Sequence, residues 1–458
     1  MDLGDLEWQA KYHGGPGPLV RELLARGHVD LVARAALERG DWYWARAAAG
    51  QLCAAAEFDR ALALVRPFAD AGWGPARWEA ARILIAAGRP AAGLALARPD
   101  EQGRSDGRTS QDYAELLVAA GRVDEALTVM EPHLGEEWLL RSLVEMTDGQ
   151  GRDERVLALL APIADGVRAA LAENRHHDHR LDGVRELQAA VLDRSGRVEE
   201  AVRLLAADVA AAHACSDPVS ALEDLLVRHR RVDALRASAT GARAPQLLPR
   251  YAWLLEGLGC VAEAEALLRE FAAGQDRPQY HAALVGLLGR QGRYEEAVEA
   301  GRPTFGYFDG NDLLPVLTDM LVEAGRAGRA VELVEQYRAE YIEGDRSEDA
   351  EEDYADYVAE QLWWIRPLRW RLLGEAGRHR EAIDEIGAQP AEERNRHLDL
   401  LGRLLEDDGR ADEAAELLRS TGTVDAMEAL AGLLLRQGRA AEAVAAAPAL
   451  AVRRAARG

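Results

Sequence analysis

Lysine is nearly absent from this sequence: of 55 basic residues among 458, only Lys11 is a lysine and the rest are arginine. A phosphate-binding loop of the form G-x-x-x-x-G-K-[ST] needs a lysine, and Lys11 lacks that context. The same scarcity leaves almost no place for a kinase-type or Schiff-base lysine. The motifs H-E-x-x-H and G-x-S-x-G are also missing. We therefore expect no enzymatic activity and no cofactor.

Cysteine is equally sparse, and its three positions, Cys53, Cys215 and Cys260, lie far apart. No pair has C-x-x-C spacing, so the sequence indicates neither a zinc ribbon nor a disulfide framework. The N-terminus has no apolar run after a basic start, and no stretch has 18 unbroken apolar residues. These absences predict a cytoplasmic protein that has no signal peptide and no membrane segment.

The charge balance is strongly acidic, at −23, which disfavours general binding to the phosphate backbone of nucleic acids. Aromatic residues make up only 6%, and the apolar residues are mostly Ala and Leu, which favours helix over strand. The Ala and Arg content is typical of a GC-rich bacterial genome.

A short phrase recurs along the chain, as in LLVAAGRVDEAL (116–127), LLGRQGRYEEAV (287–298) and LLLRQGRAAEAV (433–444). Aligning its glycine gives thirteen turn positions, at an average spacing of about 34 residues. Nine of the thirteen are Gly followed by Arg. The positions are Gly27, Ala56, Gly88, Gly121, Gly151, Gly196, Arg230, Gly259, Gly292, Gly325, Gly377, Gly409 and Gly438.

Each repeat has the features of a helical hairpin. Apolar residues at helical spacing precede the turn, and Gly at the turn enters the left-handed region without steric cost. Acidic residues such as Glu295 then open a second helix, where the helix dipole favours negative charge. Five residues after the turn, nine of thirteen repeats have Ala, which lets two helices cross closely. Such hairpins bury their apolar faces only by stacking on one another.

The period and the phrase GRYEEA (292–297) resemble the tetratricopeptide repeat. The resemblance covers residues 18–450 and implies a right-handed α-solenoid of about 13 stacked helix-turn-helix repeats, all-α in class. It leaves an N-terminal extension at 1–17 and a basic C-terminal tail at 451–458. It also implies a superhelix that binds a protein or peptide in its concave groove and has no catalytic activity.

Two segments depart from the period, near 171–183 and 341–360. The first contains His176, His177 and His179, which are metal-ligand types. We favour a solvated polar turn and expect no metal site, because no distant motif completes a coordination set. The second is acidic and leads into a helix with Trp363, Trp364 and Trp370. Trp363 and Trp364 point about 100° apart on a helix, so at least one of them is a candidate for the groove.

The family resemblance implies that residues about ten, six and three positions before the turn face the groove. We take as candidate partner-binding residues Arg46, Trp78, Arg82, Trp138, Arg141, Trp253, Trp364 and Arg371. Acidic residues such as Glu115 occupy the same positions in other repeats. Arg with Trp suits a carboxylate or an extended peptide. The alternative is ordinary Arg–Glu pairing between neighbouring helices.

The sequence thus favours an interaction scaffold that binds a peptide or protein partner. The alternative is a ligand-sensing regulatory module whose superhelix changes shape when a small peptide or molecule binds. Self-association is possible in either case, and the identity of the partner does not follow from these residues.

Overall fold

The computed structural model describes residues 2–12, 15–173, 179–211, 217–239, 244–274, 278–305, 313–342 and 353–456. Throughout these ranges the regular structure is helical and contains no strand, which confirms the all-α prediction. No helix within them is long and apolar enough to cross a membrane. The chain divides into two compact units: unit 1 is residues 1–225 with 438–458, and unit 2 is residues 226–437.

Unit 1 contains the first fourteen α-helices, most of the fifteenth, and the last two. They are α1 (Leu3–Tyr12), α2 (Pro18–Ala25), α3 (Val29–Arg39), α4 (Trp42–Ala54), α5 (Phe58–Asp70), α6 (Gly74–Ala86), α7 (Pro90–Ala97), α8 (Glu101–Ser105), α9 (Gly107–Ala119), α10 (Val123–Met130), α11 (Glu137–Met146), α12 (Asp153–Ala172), α13 (Val184–Arg194), α14 (Val198–Ala211), α15 (Asp217–Arg228), α29 (Ala440–Ala446) and α30 (Leu450–Ala456).

Unit 2 contains the remaining helices in chain order. They are α16 (Val232–Ala239), α17 (Ala244–Gly257), α18 (Val261–Gly274), α19 (Pro278–Arg290), α20 (Tyr294–Gly301), α21 (Leu314–Glu323), α22 (Ala327–Tyr337), α23 (Asp353–Glu375), α24 (His379–Gly387), α25 (Ala391–Arg396), α26 (Leu398–Asp407), α27 (Ala411–Thr421) and α28 (Val424–Arg436).

The turns of the hairpins lie where the sequence predicts them. All thirteen predicted turn residues have positive φ, including the two that are not glycine, Ala56 (φ 59°) and Arg230 (φ 51°). At Gly121, the turn closes with hydrogen bonds from its own N–H to Val118 O (2.9 Å) and from Arg122 N–H to Leu117 O (2.7 Å). These bonds satisfy carbonyls that the helix end leaves free. The prediction of helix, left-handed turn and helix is confirmed.

The small residue five positions after the turn lies at the crossing of the two helices. All nine alanines at this position are fully buried: Ala61, Ala126, Ala201, Ala264, Ala297, Ala330, Ala382, Ala414 and Ala443. In the α6–α7 hairpin the position is Gly93, where a Cβ would lie 2.6 Å from Ala81 O and 2.8 Å from Ile85 Cγ1. Close approach of the two backbones therefore requires the small side chain there.

Both ends of the chain pack within unit 1. The segment predicted as an N-terminal extension contains α1, whose Gln9 is buried and donates from Nε2 to Gly40 O (2.9 Å). Gln9 Oε1 accepts from the backbone N–H of Trp42 (3.0 Å). At the other end, Arg39 donates to the carbonyl of Val444 in the last turn of α29 and to that of Ala447 just after this helix.

The two interruptions of the period fall partly outside the described residues. His176 and His177 lie outside them, as does the side chain of His179, and so do residues 343–352. The first long interval is explained in part by α12, which has 20 residues. In the ranges that the structure describes, no group of three His, Cys, Asp or Glu is arranged to hold a metal ion.

Candidate functional site

The predicted groove residues of unit 1 lie on the first helices of successive hairpins. α4, α6 and α9 are the first helices of three successive hairpins. α4 packs against α6, and α6 packs against α9, so side chains on the same face of these helices lie next to one another. Arg46 and Trp78 lie ten residues before their turns, and Arg82 and Glu115 lie six before theirs. Because these offsets differ by about one helical turn, the four side chains share one face of the stack.

These side chains line a single cleft of about 520 Å³, which we call the N-terminal cleft. Three of the predicted binding residues, Arg46, Trp78 and Arg82, belong to it, and Glu115 belongs to it as well. Its full lining is Trp42, Arg46, Pro75, Trp78, Glu79, Arg82, Arg108, Asp112, Glu115, Leu116 and Ala119.

Three arginines extend into the N-terminal cleft and are held loosely. The side chains of Arg46, Arg82 and Arg108 are 54%, 59% and 70% exposed. Their nearest carboxylate oxygens lie at 3.8, 3.5 and 3.7 Å, which is beyond a good hydrogen bond. None of the three donates a hydrogen bond within the part of the chain that the structure describes. Their donor groups therefore remain available to a bound molecule.

Three carboxylates lie among these arginines. Glu79 is the most buried of the three, with a side chain 13% exposed, and lies near both Arg46 and Arg82. Asp112 is 31% exposed, and burial raises its pKa although Arg108 opposes the shift. Burial also raises the pKa of Glu115, and the charge of Asp112 raises it further. The cleft thus keeps negative charge that is incompletely solvated.

Gln111 lies behind Glu115 and orders this side of the cleft. Its Nε2 donates to Glu115 Oε1 (3.0 Å) and to Ser142 Oγ (2.8 Å), which joins α9 to α11. The amide Oε1 of Gln111 is buried and accepts no hydrogen bond from the described residues. The carboxylate of Glu115 is therefore held by the amide of Gln111, and the charges of Arg82 and Arg108 act on it without a hydrogen bond.

The aromatic residues form the apolar part of the cleft. Trp42 is buried, whereas Trp78 is half-buried and packs against the core beside the cleft. At the α9–α11 end, the guanidinium of Arg108 lies 6.0 Å from the ring centroid of Trp138, which is 42% exposed. Next to it, Arg141 donates to Glu137 at 2.6 Å, so Arg141 is paired within its own helix.

The predicted residues of unit 2 are placed differently. Trp253 is 59% exposed and borders a small cleft of about 190 Å³. Arg371 donates to Asp319 at 2.6 Å, which is the helix-to-helix pairing that the sequence left open. Trp364 packs edge-on against Tyr337 (5.9 Å between centroids), while its neighbour Trp363 is 68% exposed.

A wider hollow of about 820 Å³ lies in unit 2 beside α18, α19 and α20. The arginine in its lining is bonded: Arg269 donates to Glu296 of the same lining (3.1 Å) and to Glu265 one turn earlier on α18 (2.9 Å). This close pairing distinguishes it from the N-terminal cleft, where the arginines stay beyond hydrogen-bonding distance.

Arg108, Asp112 and Glu79 were not predicted from the sequence. Arg108 lies thirteen residues before its turn, which is about one helical turn from the predicted offset of ten. Asp112 and Glu79 lie nine residues before theirs, next to that offset. α9 begins at Gly107, because Asp106 accepts from Thr109 N–H (2.8 Å) and caps the helix. That cap at Asp106 is the sequence signal that places Arg108 in the first turn of a groove-facing helix.

Comparison with known proteins gives no close relative. Neither a family model nor a curated protein matches the sequence. Among solved structures, Naa15/Naa10 bound to HypK-THB is similar at 14% identity, covering 88% of this chain and 67% of that one, with a TM-score of 0.34. Yeast Tom70 is similar at 10% identity (88% and 90% covered, TM-score 0.33). The maize pentatricopeptide repeat protein PPR10 is similar at 16% identity (97% and 77% covered, TM-score 0.26).

These scores are low, so the fold assignment rests on the turns and helix crossings of the chain itself. On that basis each of the two units is all-α and consists of helical hairpins with left-handed turns at the repeat positions.

Proposed function

We propose that this protein is a non-catalytic interaction scaffold and that its N-terminal cleft receives a segment of a peptide or protein partner. One observation carries the proposal. Three exposed guanidinium groups, those of Arg46, Arg82 and Arg108, come from three adjoining helices and donate no hydrogen bond to the described residues.

Such arginines suit carboxylates of a partner. A guanidinium presents a planar fork that matches a carboxylate in two parallel hydrogen bonds. Packed helices lie about 8–10 Å apart, and an extended chain advances about 3.3 Å per residue. The guanidinium groups of Arg46 and Arg82 both approach Glu79 Oε2, at 3.8 and 3.5 Å, so they lie close enough for about two residues of an extended segment to reach both. Trp78 offers that segment an aromatic surface beside the charges.

A peptide-library selection tests the proposal. Random peptides are selected on the full chain, and the best binder is titrated against wild type, Arg82→Gln and Arg89→Gln. Arg89 is the matched control, because it is similarly exposed and pairs with Asp59 at 3.2 Å, away from the cleft. Loss of a charge-assisted hydrogen bond worth about 1.5–3 kcal/mol weakens binding by roughly ten- to a hundredfold in Arg82→Gln.

Arg89→Gln should bind like wild type. A selected peptide that binds both variants equally well would place the binding site elsewhere. Failure of the selection to yield any binder would count against a peptide-binding scaffold.

A further inference from the structure

The N-terminal cleft keeps charges of both signs apart. Its three arginines approach its carboxylates no closer than 3.5 Å, although all lie on adjoining helices. Elsewhere in the chain, such pairs close to contact: Arg290 and Glu256 meet at 2.6 Å, and Arg436 and Glu406 at 2.7 Å. The three arginines of the cleft thus differ from Arg290 and Arg436, each of which is bonded to a carboxylate on a neighbouring helix.

The carboxylates of the cleft also lack close hydrogen-bonding cations among the described residues. Asp112 and Glu115 lie one turn apart on α9, and Arg108, at 3.7 Å, is the cation paired with Asp112 in the described part of the chain. Burial raises the pKa of both carboxyl groups, and the charge of Asp112 raises that of Glu115 further, so two incompletely solvated carboxylates share one face. A purely acidic segment would satisfy the arginines and add to this repulsion. A purely basic one would leave the arginines without acceptors.

The complementary ligand carries both charges. We propose that the N-terminal cleft recognises an ammonium group and a carboxylate held close together in one short peptide segment. The ammonium faces Asp112 and Glu115, the carboxylate faces Arg46 and Arg82, and an apolar side chain between them packs on Trp78. This inference rests on the proposed function and specifies the chemistry of the segment.

The size of the cleft agrees with this assignment. Its 520 Å³ lies within the range of about 300–1,000 Å³ that small-ligand sites occupy. Two sources offer the same pair of charges: the two ends of a free tripeptide, or a Lys and a Glu side chain inside a longer partner. The charges of the site are the same for both, so the experiment must separate them.

Isothermal titration of the full chain with matched peptides makes that separation. The first set is the tripeptide Ala-Leu-Ala with free ends, with an acetylated N-terminus, and with an amidated C-terminus. The second set is a pentapeptide, Ala-Lys-Leu-Glu-Ala, capped at both ends, with versions in which norleucine replaces Lys or Gln replaces Glu. We expect one doubly charged parent to bind at least about tenfold more tightly than either of its singly neutralised forms.

Two cleft variants test the assigned orientation. Asp112→Asn should abolish the preference for a free over an acetylated amine while keeping the preference for a free over an amidated carboxyl. Arg82→Gln should abolish the preference for a free over an amidated carboxyl while keeping the preference for a free over an acetylated amine. A merely structural role of either residue would weaken all peptides equally, so the loss of one preference alone identifies direct recognition.

Three results would overturn the inference: equal binding, in both sets, of the parent and its singly neutralised forms; unchanged preferences in both variants; or no binding of any probe at about 10 mM. The proposed function fails separately. If the probes do not bind but a library-selected peptide still loses affinity in Arg82→Gln, the scaffold stands and the paired-charge ligand is wrong.

Discussion

We expect the substitution Ala56→Gly to stabilise the protein. Ala56 holds the left-handed turn between α4 and α5 at φ 59°, where eleven of the thirteen predicted turns have Gly. An L-residue in this region costs about 1–2 kcal/mol. Glycine removes that cost but adds about 0.4–1 kcal/mol of unfolded-chain entropy. Ala56 is exposed, so its methyl group loses no packing, and the net gain for Ala56→Gly is about 0.5–1 kcal/mol.

The neighbouring residue provides the control. Ala55 is also exposed, but its φ of −85° suits alanine, so Ala55→Gly should lose about 0.4–1 kcal/mol. Hydrogen exchange of the amides in α4 and α5 reports local opening of this hairpin. We expect exchange to slow by about two- to fivefold in Ala56→Gly and to accelerate in Ala55→Gly. Exchange that accelerates in both variants would refute the assignment of a strained left-handed turn at Ala56.

Three further predictions concern stability. Gly93→Ala should lower the free energy of unfolding in urea by about 1–3 kcal/mol, because the new Cβ would lie 2.6 Å from a backbone oxygen. Gly50 lies on an exposed helix face, so Gly50→Ala should leave the free energy of unfolding unchanged or raise it. Arg168→Met should lower the free energy of unfolding by about 3 kcal/mol, because it leaves the carboxylate of Asp208 buried without its guanidinium partner. Asp208 is 3% exposed, and Arg168 donates to it at 2.9 and 3.0 Å. A decrease of less than about 1 kcal/mol would contradict this. Burial raises the folded-state pKa of Asp112 above its unfolded value, so its ionisation destabilises the fold as pH rises through that window. Asp112→Asn should therefore raise the free energy of unfolding at neutral pH and leave it unchanged in acid; the opposite pH dependence would show that Asp112 is stabilised by its surroundings.

The local features of this fold follow from the sequence. The period places turns even at Ala56 and Arg230, which lack glycine, because the helices on either side fix where the chain must reverse. The same register brings Arg46, Trp78 and Arg82 into one cleft, since one helical face repeats at each hairpin.

Other features depend on packing that no local pattern encodes. Arg39 bonds the carbonyls of Val444 and Ala447 more than 400 residues away, and nothing near Arg39 announces that contact. For the two adjacent tryptophans, the sequence shows that they diverge but not which one is exposed. The side chain of Tyr337 decides it, because Trp364 packs on it and Trp363 is left in solvent.

Cys53 permits the most direct test of the N-terminal cleft. It lies two helical turns after Arg46 on α4, where burial raises the pKa of its thiol, the charge of Glu79 raises it further and that of Arg82 opposes the shift. Cys260 in unit 2 is exposed and serves as an internal control. Alkylation of Cys53 and Cys260 is followed by mass spectrometry, with and without a saturating library-selected peptide. If the cleft is the binding site, the peptide slows alkylation of Cys53 and leaves Cys260 unchanged. Equal rates at Cys53 with and without the bound peptide would contradict the account.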